Sequence, residues 1–225
     1  MKYQLISEPN DNLTAVEQIL TNRGIPLSKI SSYLKSTDSC LNSPDQLESL
    51  SIAAFLLIKH LKLGSKIYIQ VDSDCDGYTS SALLLNWIYR FNPESIKNIS
   101  FGLHPGKEHG LSDAFVDGLE KGQYDLVIVP DAGSNQFDLH EKLLDKNITC
   151  IVLDHHEASE RSKHAIVVNP QLDSYPNKQI SGVGVVYKFC KYLDSVLEVD
   201  IADSLLDLVS LGMIADMVDM REIET

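Results

Sequence analysis

The sequence predicts an α/β fold: a parallel five-stranded sheet flanked by helices, with a helical N-terminal segment and C-terminal helices. Three observations predict it. Short apolar, strand-like runs recur along the chain, and helical patterns separate them. The residues able to do chemistry stand just past the C-terminal ends of those runs, where open α/β sheets bind ligands. The 225 residues suit one large domain, or one domain with a small appendage. A content of 44% hydrophobic and 23% charged residues is ordinary for a packed globular protein.

The first fifty residues read as helical. Ser43-Pro44-Asp45-Gln46 fits a helix start, with Ser at the N-cap, Pro at the first helical position and Gln in the capping-box place. The pattern predicts a helix from there to Gly64. Residues 66–71 then alternate as a strand and run into Asp72-Ser73-Asp74-Cys75-Asp76-Gly77. Thr79 and Ser80 are placed to cap the helix carrying ALLLNWIYR. Further strands read at 99–103, 126–129, 149–153 and 165–168, with helices near 112–121 and 137–146 between them. Two more helices follow, near 184–197 and 201–213.

Asp72, Asp74 and Asp76 occupy alternate positions, which share a face in an extended chain. Three clustered carboxylates repel one another unless a cation neutralises them, and such oxygen donors suit Mg2+ or Mn2+. An acidic surface turn closed by Gly77 would explain the run equally well by itself. A calcium loop would not, because its twelfth position needs Glu and holds Leu83. Asp131 ends a second apolar run, and Asp154-His155-His156 ends a third. Adjacent imidazoles flanked by acids can bind a transition metal, with a neighbouring carboxylate orienting a ring. Gly77, Thr79 and Ser80 at one helix start, and Gly182 and Gly184 at another, could turn backbone N–H groups to a phosphate; capping and tight packing explain them too. His104, Lys107 and His109 form a mildly basic loop able to touch a substrate, while His60, His140 and His164 read as helix-end or surface residues.

In this order, DSDCDGYTS (72–80), PDAGS (130–134) and DHH (154–156) resemble the first three motifs of the DHH phosphoesterase superfamily. LVSLGMIADMVDM resembles the fourth and selects Asp216 over Asp219. NRGI (22–25), HPGKEHGLS (104–112), VVNPQ (167–171) and SGVGVVYKF (181–189) resemble RecJ-like single-stranded-DNA-specific exonucleases, so the likeness covers nearly the whole chain.

The resemblance implies a metal-dependent phosphodiesterase acting 5′→3′ on single-stranded DNA, with water activated by two divalent ions, Mn2+ preferred and Mg2+ possible. It implies metal ligation by Asp72, Asp74, Asp76, Asp131, His155 and Asp216, with Asp131 bridging. Asp72 and Asp74 would favour one ion, and Asp76, His155 and Asp216 the other. His156 would lie near the scissile phosphate or complete a ligand shell, Asp154 would orient a histidine, and Asp131, His155 and His156 would be the catalytic group. The alternatives are a nanoRNase or cyclic-dinucleotide phosphodiesterase acting on short oligonucleotides, and a catalytically inactive Cdc45-like scaffold. The loop before GLS departs from the RecJ pattern, with Lys107 followed by Glu108.

The expected division is an N-terminal helical segment over 1–45 packed on the core, then a DHH domain over 46–225. The later DHH-associated and OB-type domains of RecJ-like enzymes are absent from the sequence, as in a truncated or split form. A net charge of −13 argues against a protein that grips nucleic acid over its whole surface, but not against a local site whose cations reverse the potential. Nine acidic residues against Arg221 alone fall between Asp194 and Thr225. Four scattered cysteines with no CxxC pair, a polar N-terminus and no long apolar run point to the reducing cytoplasm and no membrane. Repair or replication proteins are the expected partners; the sequence sets no oligomeric state.

Overall fold

The computed structural model describes residues 6–35, 37, 40–104, 106, 108–221 and 224. The chain forms two compact units, one of Met1–Asn42 with Asp219–Thr225 and the other of Ser43–Val218. The smaller holds α1 (Ala15–Asn22) and α2 (Ile30–Leu34) around Leu20, Ile25 and Ile30. Thr14 and Glu17 form a capping box at the start of α1.

The larger unit is built on β1 (Ile67–Val71), β2 (Ile99–Leu103), β3 (Leu126–Pro130), β4 (Thr149–Leu153) and β5 (Ile166–Val168). All neighbours pair in parallel, in the order β2-β1-β3-β4-β5. β1 and β3 are buried throughout, as the middle of a sheet covered on both faces demands. Alternate residues of β3 serve opposite faces. Leu126 and Ile128 join the core around Leu57, Trp87 and Phe189, whereas Val127 and Val129 join the core around Val116, Leu139 and Leu143.

The first core is covered by α3 (Leu50–Leu63), α4 (Cys75–Phe91), α7 (Gly182–Leu197) and α8 (Leu206–Ala215). The second is covered by α5 (Asp113–Gly118) and α6 (Phe137–Asp145). Buried Asp194 ties the first layer together. Its Oδ1 accepts Trp87 Nε1–H at 2.7 Å, and its Oδ2 accepts the N–H groups of Ile201 and Ala202 at 3.0 and 2.8 Å. The chain leaves β1 for β2 on one side, then crosses back to β3 on the other. The switch in direction therefore opens a crevice between the C-terminal ends of β1 and β3.

Two boundaries and one burial differ from the sequence reading. The helix expected from Ser43 is a separate 3-10 turn, Pro44–Gln46, because Leu47 is extended and buried and the Glu48 N–H is taken by Asp173. Helix α4 starts four residues before Thr79. Its N-cap is Asp74, whose Oδ1 accepts Gly77 N–H at 2.9 Å, so Thr79 and Ser80 lie inside the helix. His140, read with His60 and His164 as a helix-end or surface residue, is fully buried in α6; His60 does lie at a helix end, in the last turn of α3, and is buried there. No helix among the described residues is long and apolar enough to cross a membrane.

Candidate metal centre

Strand ends and two helix termini carry the principal groups to the crevice. Asp72 follows β1, and Asp76 lies in the first turn of α4, facing inward at 3% exposure. Asp131 follows β3 in the left-handed region at φ 67°, a conformation that Asp tolerates better than most residues. Asp154, His155 and His156 follow β4, and Asp216 ends α8.

His155 stands at the middle of the carboxylates. Its Nε2 lies 3.3 Å from Asp131 Oδ1 and 3.9 Å from Asp76 Oδ2, and its Nδ1 lies 4.0 Å from Asp216 Oδ2. Asp131 is 1% exposed, yet neither of its carboxylate oxygens has a hydrogen-bond partner. A buried charge without partners is costly unless it is protonated or bound to a cation. Burial, followed by the nearby Asp76 and Asp74 carboxylates, pushes its carboxyl up to about 10. Burial also raises Asp76 and Asp216 above the usual carboxylate range.

Asp76 is nevertheless well fixed. Its Oδ2 accepts Gly182 N–H at 2.7 Å and its Oδ1 accepts Val183 N–H at 2.9 Å, across the N-terminus of α7. Behind the histidines, Asp154 accepts the backbone N–H groups of Ser134, His155 and His156, and its Oδ1 meets His156 Nδ1 at 2.8 Å. Burial acts to raise the Asp154 carboxyl, but the His156 contact and the Ser134 bonds outweigh it and hold it well below the usual range. The same bond to Asp154 raises His156.

Three groups of side chains bring their ligand atoms within 4.8 Å of one another: Asp131 with His155 and His156, Asp76 with His155 and Asp216, and Asp72 with Asp74 and His109. Carboxylate oxygens with a few imidazoles are a donor set for Mn2+ or Mg2+. All six expected ligands thus converge, and His109 joins them without having been read as a ligand. The sequence signal it carries is its place in the mildly basic loop 104–112, read as able to touch a substrate. Asp219, the rejected neighbour of Asp216, is paired with Arg221.

The phosphate-binding expectations fare differently. Gly77 N–H is taken by Asp74, and the Thr79 hydroxyl donates to the carbonyls of Cys75 and Asp76. Ser80 is buried. At α7 the Gly182 N–H is taken by Asp76, and the Gly184 N–H by Ser181 Oγ. These positions are filled by protein, so they present no open anion cradle. Glycine is needed at 77 and 182 for space: a β-carbon there would come under 3.0 Å from Asp72 and Asp131 respectively. His104 is turned into its own loop, with Nε2 2.6 Å from Gly110 O. Lys107 lies outside the described residues.

An open groove of about 310 Å³ leads away from His156, lined also by His109, Ser134, Asn135, Gln136 and Asp154. Asn135 also lines a second groove of about 480 Å³, with Glu157, Ser159 and Gln171.

Comparison with known proteins places this geometry. The SPbeta prophage-derived protein YorK of Bacillus subtilis, named for a single-strand DNA-specific exonuclease, is 43% identical over 226 residues; the match covers 100% of this chain and 38% of that protein. The single-stranded-DNA-specific exonuclease RecJ of Haemophilus influenzae is 32% identical over 84% of this chain and 34% of its own length. The chain therefore spans well under half of these relatives. A crystal structure of exonuclease RecJ bound to manganese superposes with a TM-score of 0.70 at 24% identity, covering 79% of this chain and 46% of that one, and shares the fold. The model of the DHH family, N-terminal domain, matches residues 66–213, which hold β1 to β5 and every expected ligand residue but Asp216. With its strand-end carboxylates and its DHH triplet at one crevice, the chain belongs to the DHH family.

Proposed function

We propose that the chain is the catalytic part of a metal-dependent phosphodiesterase, a RecJ-like 5′→3′ exonuclease on single-stranded DNA. The observation that carries it is Asp131, buried with both carboxylate oxygens unpartnered beside His155 and His156 and close to the charges of Asp76 and Asp74. Such a carboxylate fits a bridge between two cations. Asp72 and Asp74 would hold one ion, and Asp76, His155 and Asp216 the other. Two divalent ions, Mn2+ in preference to Mg2+, would supply an activated water and charge stabilisation for the departing oxygen.

The protein's own groups do the positioning. The N-terminus of α7 holds the Asp76 carboxylate in place through two N–H groups. Asp154 engages His156 Nδ1, which leaves Nε2 as the ring nitrogen for a phosphate oxygen. The bond to Asp154 raises His156 above the usual imidazole range, which favours a ring that donates from Nε2 to that oxygen. Ser134, Asn135 and Gln136 line the adjoining groove with uncharged hydrogen-bonding groups, which suit nucleotides held by sugar and base as well as phosphate. The name of the prophage relative supports the single-stranded DNA substrate. Four cysteines without a disulfide accord with work in the reducing cytoplasm.

The test is digestion of 5′-labelled and 3′-labelled single-stranded oligonucleotides with Mn2+. Early release of labelled mononucleotide from the 5′-labelled strand is expected. Cleavage confined to di- and trinucleotides or cyclic dinucleotides would point to a short-substrate enzyme, and no cleavage of any would point to a scaffold.

A further inference from the structure

The loop between β2 and α5, residues 104–112, brings to the centre an imidazole that belongs to none of the four motifs. His109 Nδ1 lies 2.6 Å from Asp72 Oδ2. Ligand atoms of Asp72, Asp74 and His109 all lie within 4.8 Å of one another. Donors at about 2.1 Å from one ion stand about 3 Å apart when adjacent and about 4.2 Å apart when opposite, so a single ion can be reached by all three.

Two further observations point to a ligand here. The first is the effort spent on fixing a ring that is 59% exposed. Ser73 Oγ donates to Glu108 O, and Gly110 N–H donates to Asp72 Oδ1, both at 2.8 Å. Leu111 exchanges two backbone bonds with the Gln136 side chain at 2.8 Å each. Gly110 sits at φ 67°, where a β-carbon would come under 3.0 Å from Gln136, so the backbone on both sides of His109 is locked. The second is Asp131. Its two unpartnered, buried oxygens feel the charge of Asp74 as well as that of Asp76, so the demand for a cation extends to the Asp74 side of the crevice.

We propose that His109 is a metal ligand of this centre, holding with Asp74 and Asp72 the ion remote from Asp216. The proposal rests on the two-metal reading above. It makes that site more selective for Mn2+ over Mg2+, since Mg2+ gains little from an imidazole.

Mn2+ titration of the whole chain, His109→Ala and His109→Gln tests it. Free Mn2+ is counted by electron paramagnetic resonance, and nitrogen couplings are read on the bound ions. The wild type should bind two ions with nitrogen coupling at both. His109→Ala should keep the first ion unchanged, bind the second about 10-fold or more weakly, and lose part of the nitrogen signal. Mg2+ competition at the second site should change less. Both variants should melt with the wild type in EDTA, since the ring is more than half exposed. Two-ion binding and nitrogen coupling that stay unchanged in His109→Ala would overturn the proposal and leave the two-metal reading standing. A wild type that binds no ion would overturn both.

Discussion

Gly182 makes room for Asp131: a β-carbon on residue 182 would come under 3.0 Å from the Asp131 carboxylate. The same glycine gives its N–H to Asp76. One residue thus sets the spacing of two carboxylates from different strand ends. Gly182→Ala should push Asp131 out of place and cost roughly 1–3 kcal/mol, the range for overpacking a filled interior. Paired thermal melts in EDTA and in Mn2+ check it. A full Mn2+-induced rise in Tm for this variant would show that the close approach is not needed for metal binding.

Asp131→Ala should abolish most activity, on the order of 10³-fold or more, because a bridging carboxylate screens the repulsion between two cations. The fold should survive. Removing a carboxyl that burial, and then the Asp76 and Asp74 carboxylates, already disfavour takes away a buried polar group with no partner, so the variant should melt at or above the wild-type Tm in EDTA. It should gain less from added Mn2+ than the wild type does. Near-normal oligonucleotide cleavage with an undiminished Mn2+ shift would remove Asp131 from the bridge.

Single-stranded DNA should bind this chain weakly and with a shallow salt dependence. The net charge is −13, and the described residues that line the grooves beside the centre include no Lys or Arg. Few phosphates are then neutralised, and log affinity falls slowly with log salt. Fluorescence anisotropy across a salt series measures this. Tight binding at about 0.2 M salt with a steep slope would mean that the DNA path lies on another face.

His140 should make the fold acid-sensitive. Its ring is fully buried and neither nitrogen has a hydrogen-bond partner. Burial, with a smaller contribution from His164, pushes it down to about 4. The unfolded chain takes up a proton near pH 6.5 that the folded chain refuses until about pH 4, so stability is lost as pH falls through that window. The loss should be about 2 kcal/mol by pH 5. Urea melts of wild type and His140→Leu at pH 7.5 and 5.0 should show a smaller pH effect in the variant. Equal pH effects would assign the acid sensitivity to other groups.

The sequence determined the sheet and the identity of most of the centre. Apolar runs such as Ile67–Val71 and Leu126–Pro130 are local signals, because alternation and burial on both faces are written into consecutive residues. Their strand ends then carry Asp72, Asp131 and Asp154 to one edge whatever the loops do. The tertiary structure decided what occupies each backbone group there. Asp74 rather than Thr79 caps α4, Asp76 rather than a phosphate takes the N-terminus of α7, and a loop more than thirty residues after Asp72 supplies His109. Those contacts join segments that no local pattern pairs. They depend on strand order and on the space left at Gly77 and Gly182, which exist only once the sheet has assembled.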